Sequence, residues 1–299
     1  MENQQNKTCE TALLALRGEI DAIDNQIISL LNQRMEVISK VGELKKNHQE
    51  KFFIRSNREA DMIKELVKKS GDNFSKSAIV SIWRKIITNA NMHEQPLNIA
   101  IHNPKNIAQY TYLVKEYYND IVPLHNYDSV SNVILEVENG KAQIAIFSLP
   151  QSDHEEQNKT EDAKENWWIA LAGNRQGLKI YAKIPFCEFV DSEKNHDQIH
   201  LVAVAAKNAE KSSDDNSLIY VELTKEISRT QLLSSLKEQG FKAKILKSVK
   251  LNQVEGVVFY LIELAGFFDE SDAEIKNFSK AKIKPYVKVL GHYPTPVRV

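Results

Sequence analysis

The sequence lacks the features that mark secreted, membrane-spanning or nucleic-acid-binding proteins. Its 299 residues include only two cysteines, Cys9 and Cys187, far apart, which indicates neither a disulfide framework nor a zinc site. The formal net charge is −1, so we expect no binding to nucleic acid or to an anionic membrane. No apolar run approaches the ~20 residues that span a bilayer, and the polar start lacks the apolar stretch of a signal peptide. We therefore expect a soluble protein of the reducing cytoplasm.

The length and the changes of pattern along the chain predict three domains. A chain of 299 residues is too long for one ordinary core, and it contains no internal repeat or low-complexity tract. We place the domains at residues 1–96, 97–211 and 212–299. The expected fold class is multidomain: an all-α domain, a reduced α/β domain and a ferredoxin-like α+β domain.

The first domain is predicted to contain three helices. Apolar residues recur at helical spacing over residues 11–49, interrupted by one glycine, Gly42, which indicates a helix of about ten turns. A helix this long needs a partner along its length, so a dimer or a bundle is expected. Further helices are predicted at 57–69 and 75–94, and Pro96 ends the last of them.

Beyond residue 96 the pattern alternates between strands and helices, as in α/β domains. The middle domain is predicted to have strands at 97–101, 143–147, 168–171, 179–182 and 200–205, helices at 106–118 and 129–139, and a loop at 151–166. After a linker at 209–216, the last domain shows the β-α-β-β-α-β order of the split ferredoxin-like motif. Its predicted elements are strands at 218–223, 244–250, 257–264 and 286–290 and helices at 228–239 and 271–279.

Three cations interrupt the apolar seam of the first helix. The seam positions 17, 20, 24, 27, 31, 34, 38, 41 and 45 include Arg17, Arg34 and Lys45. A buried unpaired charge is costly, so each cation needs a counter-charge or a cavity. One polar seam residue would more often fix the register of a coiled coil. Three of one sign, with Asp24 as the only obvious counter-charge, favour a site for a small dianion.

The motifs around these cations resemble the all-helical chorismate mutase family. They follow the family order at Leu13 to Asp24, Leu30 to Arg34, Val41 to Lys45 and the pair Arg58-Glu59. The resemblance covers nearly the first hundred residues and implies a homodimer intertwined through the first helices. It implies that each site takes Arg17 from the other chain and its remaining residues, including Glu94 of the third helix, from the home chain.

The implied reaction explains these residue types. Chorismate is a small dicarboxylate that rearranges to prephenate by an internal pericyclic shift, without metal or cofactor. By the resemblance, Arg17 and Arg34 orient the carboxylates through bidentate forks, and Arg58 supports the site electrostatically. Lys45 donates to the ether oxygen as that atom becomes negative. Glu59 accepts from the ring hydroxyl of the substrate.

Two candidate substrate-contacting positions depart from the family pattern. Arg55 stands three residues before Arg58, where the family is often acidic, and Ala90 stands where the family has a serine. Either change can alter the affinity for the substrate without abolishing the reaction. For Arg55, an orientation toward solvent is the alternative.

The remainder of the chain resembles a degenerate prephenate dehydratase followed by an ACT regulatory domain. The resembling segments are 97–108 and 130–150 for the dehydratase, and 258–266 and 287–294 for the ACT domain. The dehydratase Thr-Arg-Phe is matched only by Ile199-His200-Leu201, and isoleucine has no hydroxyl for proton chemistry. We therefore predict no dehydratase activity and interpret His200 as structural.

The phenylalanine-binding signatures of ACT domains are absent from residues 227–229 and 247–250. Feedback by phenylalanine is therefore not predicted, and this region either serves assembly or binds another small-molecule effector.

Two rival functions stay open: a bifunctional mutase–dehydratase, and a catalytically silent regulatory protein on the same scaffold. The catalytically silent protein is disfavoured because loss of activity should have changed at least one of the site residues, and all of these are retained: Arg17, Arg34, Lys45, Arg58 and Glu59.

Glu94 allows a first prediction, because many family members have glutamine at this position. A glutamate can donate to the ether oxygen only while it is protonated, so mutase activity should fall as pH rises. Glu94→Gln should flatten the pH–rate curve measured with purified protein. Curves of identical shape for variant and wild type would instead identify Glu94 as a solvated residue at a helix end.

Overall fold

The computed structural model describes residues 2–46, 54–150, 160–161, 166–188, 198–207, 210–224, 227–252 and 254–299. The chain divides into two units, one of Met1–Phe53 with Met92–Gln95 and one of Ile54–Asn91 with Pro96–Val299. This division falls within the predicted helical domain, and the bounds of the three predicted domains stay predictions. Most of the predicted loop at 151–166 lies outside the described residues.

The first unit is dominated by α1 (Glu2–Lys46), a single helix of 45 residues. It starts at Glu2 rather than at the predicted residue 11, so the polar residues that precede the apolar repeat are helical as well. Its apolar side chains are exposed in the single chain, with Leu14 at 64% and Leu30 at 63%. The expected dimer would cover this surface and stays a prediction. No helix among the described residues is long and apolar enough to cross a membrane.

The two shorter helices, α2 (Ser56–Lys69) and α3 (Lys76–Glu94), confirm the predicted helical pattern. Between them, Gly71 has a φ of 64°, a conformation that glycine adopts without steric cost. Each helix buries one face within the second unit, as shown by the buried side chains Ala60 and Ile63 of α2 and Ile79 and Ile87 of α3.

The rest of the second unit is built on a large mixed sheet. In chain order its elements are β1 (Ile99–His102), α4 (Ala108–Tyr118), β2 (Leu124–Tyr127), α5 (Val130–Glu138), β3 (Ile144–Ser148), β4 (Thr160–Glu161), α6 (Trp167–Gly173), β5 (Leu178–Ile184), β6 (Cys187–Glu188), β7 (Leu201–Ala206), β8 (Asp215–Leu223), α7 (Arg229–Glu238), β9 (Ala243–Leu251), β10 (Val258–Ala265), α8 (Ala273–Ser279), β11 (Tyr286–Pro294) and β12 (Val297–Arg298).

Ten strands pair in the order β2-β1-β3-β7-β5-β11-β8-β10-β9-β4. Strand β1 pairs with β2 and β3 in parallel, as expected for the α/β region. The order β11-β8-β10-β9, with antiparallel neighbours, confirms the ferredoxin-like motif. A helical domain is thus followed by an α/β region and a ferredoxin-like region that share one sheet.

One predicted strand was wrong, and several short strands were not predicted, among them β4 within the predicted loop at 151–166, β6 and β12. Residues 168–171 were predicted as a strand but lie in α6, where Trp167, Trp168 and Leu171 are buried. A short apolar run is compatible with either element, and only its packing decides between them. Strand β2 was not predicted, because its residues Leu124–Tyr127 are partly or fully exposed and lack an apolar alternation.

The two parts of the sheet meet where β11 pairs with β5 at Gly291 and Ile180. Gly291 has a φ of 144°, and a Cβ at this position would overlap the backbone of Ile180. Any other residue would therefore force the strands apart at this junction.

We predict that Gly291→Ala lowers the free energy of unfolding by roughly 2–4 kcal/mol, because it combines backbone strain with overpacking. Urea denaturation of the full chain measures this change. Gly173→Ala is the matched control, since a Cβ there meets no described atom within 4 Å. Equal unfolding midpoints for Gly291→Ala and Gly173→Ala would contradict the prediction.

Candidate active site

The cations predicted from the apolar seam lie along α1. Arg17 is exposed in the single chain and Arg34 is half-buried. Lys45 belongs to the last turn of α1, and its side chain lies outside the described part of the structure. The helical rise separates the Cα atoms of Arg34 and Lys45 by about 16 Å.

Glu94, at the end of α3, lies against the same part of α1. A Cβ added to buried Gly42 would be 3.6 Å from Glu94 Cγ. Nearby, Ser39 Oγ and His93 Nε2 are 3.0 Å apart, within hydrogen-bond distance. Gly42 precedes Lys45 by three residues, so Glu94 lies within about one helical turn of the Lys45 position. Glu94 is half-buried, and its predicted role at the ether oxygen stays a prediction.

Glu59 of α2 is held within the second unit. Arg84 Nη2 donates to its Oε2 at 2.8 Å, and Asn91 Nδ2 donates to its Oε1 at 2.9 Å. The residue is 7% exposed, so its carboxylate is fixed by two donors from α3. A carboxylate has about four acceptor positions, which leaves capacity for a ligand hydroxyl. The predicted contact with substrate stays a prediction.

Arg84 was not identified from the sequence. It is 3% exposed, and its Nη1 donates to the hydroxyl of Tyr117 at 3.2 Å. Burial acts to lower the Arg84 pKa, but Tyr117 and Glu59 raise it, and the net pKa lies above its usual value. Its spacing from the apolar residues Val80 and Ile87 could have placed it on the inner face of α3.

The other candidates on α2 and α3 differ in their surroundings. Arg55 is half-buried and forms an ion pair with Glu210, which differs from the solvent orientation considered as its alternative. Arg58 is exposed. Ala90 is buried at 5% exposure and offers no polar group. Substrate contact by these three residues stays a prediction.

A separate cavity of about 610 Å³ lies at the carboxyl ends of β1 and β3, the usual ligand position in parallel sheets. Its described lining includes His102, Lys105, Tyr110, Ser148, Trp167 and Lys247. The described lining residues include cations, hydroxyls and aromatic rings but no carboxylate, a composition that suits an anionic ligand. Lys247 belongs to β9, so the ferredoxin-like region contributes to the cavity.

His200 is not among the described residues that line this cavity. Its Nε2 lies 3.7 Å from Glu188 Oε1, which in turn accepts from Lys183 Nζ at 2.6 Å. Burial, with Lys183 as a second cause, lowers the pKa of His200 to about 4. A neutral, half-buried ring beside an ion pair is consistent with the structural interpretation of this histidine.

Residues 16–95 match the family model of chorismate mutase type II, which confirms the resemblance found in the motifs. A bifunctional chorismate mutase/prephenate dehydratase of Aquifex aeolicus (strain VF5) is 25% identical over 221 residues, 71% of this chain and 59% of the relative. One of Stutzerimonas stutzeri is 23% identical over 175 residues, 56% of this chain and 47% of the relative.

The chain thus spans 59% or less of the length of these two curated relatives. Among solved structures, the prephenate dehydratase from Streptococcus mutans has 16% sequence identity and a TM-score of 0.44, covering 68% of this chain and 100% of that one. The mutase match is confined to the helices α1, α2 and α3 and their connections.

The depressed pKa of His200 predicts how stability depends on pH. Its pKa falls from the usual 6.5 to about 4 on folding, so the folded state binds fewer protons than the unfolded state between these values. The stability that neutral His200 contributes is present above about pH 6.5 and is lost as pH falls toward 4. Urea unfolding between pH 7 and pH 4 should show a shallower loss for His200→Gln. An equal loss of stability in the variant and the wild type would contradict the depressed pKa of His200.

Proposed function

We propose that the protein is a chorismate mutase, an isomerase that converts chorismate to prephenate in aromatic amino acid biosynthesis. The observation that carries the proposal is the family match over residues 16–95. The cationic and acidic set that the reaction needs is retained within that segment: Arg17, Arg34, Lys45, Arg58, Glu59 and Glu94.

In this proposal the protein holds chorismate in its compact conformer. Arg34, with Arg17 of the partner subunit, binds the two carboxylates through paired N–H donors. Lys45 donates a hydrogen bond to the ether oxygen, which gains negative charge as its bond to carbon breaks and the new carbon–carbon bond forms. Glu94 can donate to the same oxygen only in its protonated form. The rearrangement is internal to the substrate, so each side chain keeps its proton.

We also propose that two chains pair through α1. The exposed apolar side chains of this helix support the pairing, because a surface of this size is stabilised when a second apolar surface covers it. Leu14, Leu30 and Leu44 are each more than 60% exposed in the single chain. Pairing would bring Arg17 of each chain to the site of the other.

The cavity at the ends of β1 and β3 supports a further role for the sheet region. In this proposal it binds an anionic small-molecule effector, and Lys247 links that binding to the ferredoxin-like region. Ile199 and His200 stand where a dehydratase carries its Thr-Arg-Phe, so the proposal includes no dehydratase activity.

Purified protein should consume chorismate, measured as loss of its ultraviolet absorbance. Arg34→Ala should lower kcat/KM by at least about 10²-fold, because the substrate loses a bidentate contact that orients it. Lys40→Ala is the matched control, since Lys40 is an exposed cation on the same helix but outside the seam. A folded wild-type protein that leaves chorismate unchanged would contradict the proposal and favour the silent regulatory protein.

The same preparation separates the mutase from the bifunctional rival. Incubation with prephenate should yield no phenylpyruvate, because the described sheet region has no threonine at the matching position. Formation of phenylpyruvate at a rate proportional to protein concentration would establish the bifunctional enzyme instead.

A further inference from the structure

A buried polar cluster joins α2, α3 and α4. We call the group of Glu59, Arg84, Asn91 and Tyr117 the Arg84 cluster. Arg84 donates to Glu59 at 2.8 Å and to the Tyr117 hydroxyl at 3.2 Å. Its guanidinium carbon also lies 4.1 Å from the centroid of the Tyr117 ring, close enough for a cation–π interaction. Each of the three helices therefore contributes to the surroundings of one guanidinium.

The cluster is not explained by stability alone. Removing two charges from water is costly, and well-packed apolar residues of similar volume often stabilise a core as much or more. A buried pair of this kind does fix geometry, because the planar fork of arginine sets the orientation of the carboxylate it binds. The group whose orientation is fixed here is Glu59, a residue of the proposed substrate site.

We propose that Arg84 is a positioning residue of the mutase site, acting through Glu59. The inference rests on the proposed function and deepens it. Arg84 and Asn91 hold the Glu59 carboxylate in one orientation, which leaves its remaining lone pairs for the ring hydroxyl of the substrate. Tyr117 also contacts Arg84, through its hydroxyl and its ring. A helix of the sheet region thereby becomes part of the support of the mutase site.

The position of Tyr117 is fixed by further contacts within the second unit. Its carbonyl accepts from Thr88 Oγ1 of α3 at 3.4 Å. The next residue, Tyr118, has its hydroxyl 2.7 Å from that of Tyr181 in β5. Tyr117, Tyr118 and Tyr181 are all buried. The support therefore extends from Glu59 through Arg84 and α4 to the central sheet.

The ring hydroxyl lies outside the bonds that break and form, so Glu59 contacts it in both the ground state and the transition state. An interaction made equally in both states lowers KM with little effect on kcat. Loss of Arg84 should therefore raise KM for chorismate by roughly 10- to 100-fold, by analogy with the loss of a residue that orients a metal ligand. The value of kcat should change by less than about threefold.

The test is a double-mutant cycle with Arg84→Met and Glu59→Gln in the full chain. If Arg84 acts through Glu59, each single variant raises KM and the double variant is no worse than Glu59→Gln alone. Lys85→Met is the matched control. Lys85 is the next residue on α3, and its ion pair with Glu116, at 3.6 Å, is partly exposed. This control should leave KM unchanged.

Two further variants cover the case in which Arg84→Met does not fold. Tyr117→Phe keeps the ring and removes the hydroxyl, and Arg84→Lys keeps the charge and removes the fork. Both should raise KM, by less than Arg84→Met where that variant folds. Wild-type KM in both folded variants, or additive effects in the cycle, would overturn the positioning role. An inactive wild type would instead overturn the proposed function, so the two failures are distinguishable.

Discussion

The buried ion pair between Arg84 and Glu59 is the interaction that links α2, α3 and α4 within the second unit. Both side chains are almost completely removed from water, at 3% and 7% exposure. Removal of either partner would leave an uncompensated buried charge, which is strongly unfavourable. The pair therefore requires α2 and α3 to stay in register with each other, and Tyr117 extends that requirement to α4.

The division into units does not follow the family match. The match covers residues 16–95, but Ile54–Asn91 belong to the unit that contains the sheet. The buried contacts of Arg84 with Glu59 and Tyr117 lie wholly within that unit. Arg55 reinforces the same association through Glu210, and Asp61 through the backbone and hydroxyl of Ser213. The sheet region thus has a structural role whatever chemistry it retains.

Most elements could be predicted from the sequence because their patterns are strong. The apolar repeat of α1, the turn at Gly71 and the β-α-β-β-α-β order each follow from local spacing. Trp168 was misassigned to a strand, because a short apolar run does not distinguish a buried strand from a buried helix. The exposed strand β2 was missed because it has almost no apolar residues to form a pattern.

The candidate site was predictable only in part. The motifs identified Arg34 and Lys45 as cations suited to a dianion and Glu59 as an acceptor for the ring hydroxyl, but spacing cannot show which charges a fold neutralises internally. Arg84 lies among apolar residues of α3, and its partners are 25 and 33 positions away along the chain. Long-range pairs of this kind appear only when the tertiary packing is known. The same holds for Arg55, whose partner Glu210 lies 155 positions away.

The central claim is that a fixed Glu59 faces the substrate in a chorismate mutase site. The most direct measurement is a crystal structure of the full chain with a stable bicyclic dicarboxylate that mimics the rearrangement transition state. The account predicts a Glu59 oxygen within about 3 Å of the ligand hydroxyl, with Arg84 still bound to the same carboxylate. A ligand bound away from Glu59, or an Arg84 side chain that has left it, would contradict the account.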